Sequence, residues 1–89
     1  MTTWDEAKRR SNFAKHGVDL ALAQQFDWGT GTFEEDDSEA YGEQREKATG
    51  LIGSTLHVYI YTLRDDDEDH AISLRLADKK EKRRYVREI

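Results

Sequence analysis

Two stretches of alternating residues, 55–63 and 70–77, constrain this chain more than any other feature. Leu56, Val58 and Ile60 alternate with His57, Tyr59 and Tyr61, while Ile72, Leu74 and Leu76 alternate with Ser73 and Arg75. A period of two is what a half-buried strand requires. The acidic run between them, residues 64–69, reads as a solvated hairpin loop. Segment 44–52 makes a weaker strand ahead of these, with Arg45, Lys47 and Thr49 on one side and Gly50 and Gly53 marking a turn. The expectation is a three-stranded antiparallel meander. Its core face would carry Leu56, Val58, Ile60, Ile72, Leu74 and Leu76, and its opposite face Arg45, Lys47, His57, Tyr59, Tyr61, Ser73 and Arg75.

Helical signals flank the meander. Asp5 suits an N-cap before EAKRRSNFAKH, and Gly17 suits the left-handed position after it. Asp19 can cap a second, shorter helix, LALAQQF. Asp78 and Glu81 have the spacing of a capping box for a last helix, KKEKRRYVREI. Residues 27–42, with three glycines and an acidic run, read as a loop. The layout is α+β in a single domain, 1–89: two N-terminal helices, a three-stranded antiparallel sheet, a C-terminal helix, and acidic loops at 27–42 and 64–69.

Charge is partitioned along the chain. The formal net charge is -5, yet ten of the 19 acids fall in the runs 34–39 and 65–69. Setting those aside leaves 14 bases against 9 acids, a balance of +5. The bases concentrate in 8–16 and 79–87. Association with a polyanion responds to the local field, so the acidic sum does not exclude one. The absence of cysteine excludes disulfides and thiolate metal sites and fits a reducing cytoplasm. The acidic runs lack the glycine and terminal Glu of a calcium loop. No segment approaches the ~20 apolar residues of a membrane span, and the charged N-terminus does not resemble a signal peptide. The chain reads as soluble and cytoplasmic, with no cofactor, no metal and no membrane partner.

Guanidinium groups interleaved with phenols suit single-stranded RNA, taking phosphates and stacking under bases. Such a face can cut RNA by attack of the ribose 2′-OH on the adjacent phosphate. Arg45 and Arg75 would neutralise the phosphorane, and His16, His57, Tyr61 or Tyr85 would carry a proton. Structural explanations stand beside each assignment. His16 can serve final-turn carbonyls, the tyrosines can be ordinary strand residues, and Arg75 and the basic last helix can simply be solvated.

The block WDEAKRRSNFAKHGV at 4–18 resembles the opening signature of BrnT-like toxins, W-D-x-x-K-x-x-x-N-x-x-K-H-G-V. The similarity continues through Glu43-x-Arg45, Gly50, Tyr61-Thr62-x-Arg64, Ile72-Ser73-x-Arg75-x-Ala77 and the closing Glu81, Arg84 and Tyr85. It implies a RelE-like fold and an endoribonuclease toxin of a type II toxin–antitoxin pair. The expected partner is a BrnA-like ribbon-helix-helix antitoxin, in a homodimer or a toxin–antitoxin hetero-oligomer. With the chemistry above it nominates Arg45, Arg75, Tyr85 and His16 as catalytic and Lys15, Lys47, His57, Tyr61 and Arg84 as RNA-binding. One arginine of the family's S-A-R-R-A strand is replaced, by Leu76, and the chain is acidic. Those departures motivate the alternative of a non-catalytic toxin-fold module that binds or regulates a DNA-binding antitoxin.

Overall fold

In the computed structural model, which describes residues 1–36, 44–65 and 67–89, the chain is α+β around one mixed sheet. The strands are β1 (Thr2–Thr3), β2 (Thr32–Asp36), β3 (Arg45–Ile52), β4 (Thr55–Arg64) and β5 (Glu68–Leu76). Their order is β1-β5-β4-β3-β2, with β1 parallel to β5 and every other pair antiparallel. The expected three-stranded meander is therefore the centre of a five-stranded sheet. Two residues give too little period to betray β1. The acidic composition of Thr32–Asp36 conceals β2, which pairs with β3 from Thr32↔Thr49 to Asp36↔Arg45. Both acidic loops are shorter than expected: Arg64, Glu68 and Asp69 are strand residues, and most of 27–36 is ordered. Residues 37–42 of the first loop, and Asp66 of the second, lie outside the described residues.

Two α-helices complete the chain, α1 (Glu6–His16) and α2 (Lys79–Glu88). The second N-terminal helix is instead a 3₁₀ segment, Leu20–Gln25, followed by a 3₁₀ turn at Trp28–Thr30. Both ends of α1 form as the sequence implies. The Asp5 carboxylate accepts from the Ala7 N–H, and Gly17 sits at φ 70, where a β-carbon would be strained. At Asp78 the capping box is complete, each partner accepting the other's backbone N–H.

The core lies between the sheet and the α1/3₁₀ layer, built on Leu20, Phe26, Ala48, Tyr59, Tyr61 and Leu74. Here β4 corrects the expectation. Tyr59 and Tyr61 point into the core, with Leu74 opposite Tyr59, while Val58 and Ile60 share the other face with Arg75 and Ser73. A one-residue change of parity exchanges the two faces of a strand. The tyrosines prevail because they fill more volume and meet Phe26 and Trp28 in an aromatic cluster. The Tyr59 hydroxyl finds a partner in Asp69 at 2.7 Å, and burial beside that carboxylate pushes its pKa far up. Burial likewise pushes Tyr61 up to about 12. Gly50 admits the Phe26 ring, which would stand 2.8 Å from a β-carbon there. In β5 the parity is as expected for Leu74, Ser73 and Arg75. Leu76, however, is 53% exposed, and Ile72 lies at a register shift opposite Ile60 and Tyr61.

Candidate functional site

The face opposite the core is polar and cationic. Pairing places Lys47 and Thr49 of β3, Val58 and Ile60 of β4, and Ser73 and Arg75 of β5 side by side on it. Helix α2 lies against this face but buries none of its own residues, so polar tethers fix its position. The Glu81 carboxylate takes both terminal nitrogens of Arg75, at 2.7 and 2.8 Å, and also accepts the Asp78 N–H at 2.9 Å. One turn on, the Tyr85 hydroxyl donates to the Thr30 carbonyl at 2.5 Å. Arg84 reaches Glu34 of β2 at 3.8 Å and Glu88 at 3.0 Å.

These contacts set the electrostatics. Hydrogen bonding to Arg75 holds Glu81 down to about 2, against some opposition from burial. The same bond raises Arg75, which stays charged throughout. The cleft between α2 and the sheet, lined in part by Lys47, Thr49, Glu81 and Tyr85, has a volume of about 20 Å³. That holds little more than a water molecule.

Arg75 also faces the end of α1. His16, half-buried in the last turn, has its pKa lowered first by burial and then by the cations Lys15 and Arg75. Asn12 fixes α1 there. Its amide donates to the carbonyls of Val18 and Leu74 at 2.9 and 2.8 Å, and its oxygen accepts the Leu74 N–H at 3.1 Å. A buried side chain thus pairs with β5 as a neighbouring strand would.

The structure sorts the nominated residues into three groups. Arg75, Tyr85, Lys47 and Arg84 gather around α2, while His16 and Lys15 of α1 line a groove with Ile72 and Ser73 of β5. Arg45 shares the face but stands apart. It lies two strands and four residues from Arg75, roughly 16 Å at ordinary strand spacings. His57 and Tyr61 are on the core side, across the sheet from the other nominated strand residues. His57 is 5% exposed with Nδ1 2.9 Å from the Thr55 carbonyl, and Tyr61 is 4% exposed. Two residues that shape the candidate site escaped the sequence reading. Glu81 was visible as a helix cap and as part of the closing motif, but nothing local reveals that the same carboxylate reaches back six residues to Arg75. Asn12 stood in the opening signature without an assigned task. Among the described residues no group of His, Asp or Glu is placed to hold a metal ion, and no helix is long and apolar enough to cross a membrane.

A family model described as ribonuclease toxin, BrnT, of type II toxin-antitoxin system matches residues 4–81. Among solved structures, the chain is similar to the Brucella abortus ribonuclease toxin BrnT, with 26% identity and a TM-score of 0.70. The match covers 89% of this chain and 99% of the other. No curated protein matches.

Proposed function

Since the chain belongs to the BrnT family of ribonuclease toxins of type II toxin–antitoxin systems, we propose that it cuts RNA at the junction of α1, β5 and α2. The reaction needs no metal ion. A base removes the proton of a ribose 2′-OH, and the oxygen attacks the adjacent phosphorus. The bond from phosphorus to the 5′ oxygen breaks as that oxygen takes a proton, leaving a 2′,3′-cyclic phosphate and a 5′ hydroxyl. Arg75 stabilises the phosphorane with its two-pronged donor. His16, whose lowered pKa favours the neutral ring, carries the proton. Tyr85 positions the substrate, while Lys15, Lys47 and Arg84 hold the backbone. Arg45 contacts the chain of phosphates further along the face. The toxin acts in the cytoplasm and is neutralised by a BrnA-like ribbon-helix-helix antitoxin in a hetero-oligomer.

The observation that carries this reading is that Glu81 of α2 grips Arg75, while His16 of α1 shares a groove with Ser73, two residues before Arg75 on the same face of β5. Incubating purified protein with RNA in EDTA tests it: cleavage is expected, and RNA left intact at high protein concentration overturns it. Arg75→Ala is expected to abolish growth arrest while the protein stays folded. One observation favours the non-catalytic module instead, namely that Arg75 and Arg84 already face carboxylates. Induced expression that leaves a bacterial host growing, with tight binding to a co-encoded antitoxin, would decide for that module.

A further inference from the structure

Beside the cleft under α2 runs a second groove, between α1 and the free stretch of β5. Lys8, Ser11, Lys15 and His16 line one wall, and Ile72 and Ser73 the other. Its volume is about 240 Å³, against about 20 Å³ under α2. Lys8, Ser11 and Lys15 recur at intervals of three and four, so they project from one side of α1. The two lysines stand two turns apart, about 10.5 Å along the axis, too far to chelate one anion and suited to separate phosphates.

Three features set this groove apart. No carboxylate lines it, whereas Glu34, Glu81 and Glu88 line the cleft under α2 and Glu6 and Asp19 the hollow beside Arg9. Neither Lys8 nor Lys15 has an ion pair among the described residues, while Arg9, Arg75 and Arg84 all do. Its walls are also fixed to each other by the two hydrogen bonds of Asn12 to Leu74. The outer side of α2, with Lys82, Arg83 and Arg87, carries three cations against the two lysines of the groove and likewise has no carboxylate in its lining. It belongs to one helix, and no second element braces its side chains.

We propose that the α1–β5 groove is the track for the phosphodiester backbone of single-stranded RNA, with Lys8 and Lys15 each holding a phosphate and His16 lining it opposite Ser73, the face neighbour of Arg75. RNA then reaches Arg75 from the α1 side. The inference rests on RNA being the substrate.

Binding of a fully 2′-O-methylated RNA oligonucleotide, which cannot be cut by 2′-OH attack, tests the track apart from cleavage. Lys8→Ala/Lys15→Ala is expected to weaken binding about tenfold near physiological salt and to flatten the log–log salt slope by about 1.4, the share of two phosphates on a single strand. Arg83→Ala/Arg87→Ala, matched in charge, should change affinity less than about twofold. Equal losses in the two variants, or none in the first, would overturn the track. So would displacement of the oligonucleotide by an aspartate hexamer at equal concentration, which would give the groove to an acidic protein segment. Wild-type protein that binds this probe through the groove yet leaves ordinary RNA uncut supports the track and removes the nuclease reading.

Discussion

Arg75 and Glu81 hold each other in a geometry that ties α2 to the sheet and, under the proposed function, orients the guanidinium for a phosphate. The pair has a measurable thermodynamic signature. The folded-state pKa of Glu81, about 2, lies below its ordinary value of 4.5. Its stabilisation is therefore complete above pH 4.5 and is lost as pH falls through the folded value. After allowance for solvent screening, about 1–2 kcal/mol should disappear between those limits. Denaturant unfolding at a series of pH values should show that loss in the wild type and a flatter curve in Glu81→Gln, whose amide oxygen can still accept the Asp78 N–H. Parallel curves would mean that the pair adds nothing. Asn12 makes the complementary residue-scale case. Asn12→Ala leaves the Leu74 N–H and C=O without partners in a buried setting and should cost about 3 kcal/mol. An unfolding free energy within about 0.5 kcal/mol of wild type would mean that water replaces the amide.

At the scale of elements, α2 contrasts with the strands it accompanies. No residue of α2 is buried, so its attachment depends on Arg75–Glu81, Tyr85–Thr30 and Arg84–Glu34. Removing the Tyr85 hydroxyl should release the helix while sparing the core. In Tyr85→Phe, amide exchange across α2 is expected to accelerate about tenfold, with β4 and β5 unchanged. Exchange rising equally in the strands would show that α2 is part of the cooperative core. The same contrast explains what was legible in the sequence. Helix ends were legible because caps are local: Asp5, Gly17, Asp78 and Glu81 each act within one turn. Strand existence in 55–63 and 70–77 was legible from period. Strand parity in β4 was not, because Leu56, Val58, Ile60 and Tyr59, Tyr61 are both credible core sets. The choice rests on Phe26 and Trp28, some thirty residues away. The site was legible where side chains fall on the sheet by alternation, as for Lys47 and Arg75. It was illegible where it depends on how α1 and α2 dock.

For the molecule as a whole, charge is arranged across the sheet rather than averaged over it. Glu34, Glu35 and Asp36 occupy the β2 edge, while Lys8 and Lys15 flank β5, three strands away. Three strand spacings come to about 14 Å, beyond the Debye length of about 8 Å at physiological ionic strength. The cationic side is then insulated from the acidic edge, and under the proposed function an RNA strand meets a local positive field despite the net charge of -5. At 0.01 M salt the Debye length grows to about 30 Å, comparable with the longest dimension of the molecule, 32 Å. The acidic edge is then felt on the far side. Affinity for a non-cleavable RNA oligonucleotide should therefore fall with salt between about 0.1 and 0.3 M, with a log–log slope near −4 for about six phosphates, and level off below about 0.03 M. Removing charge from the edge with Glu34→Gln/Glu35→Gln should restore the straight line at low salt. If binding instead strengthens with salt throughout, the acidic surface governs encounter, and the partition of charge across the sheet does not serve RNA.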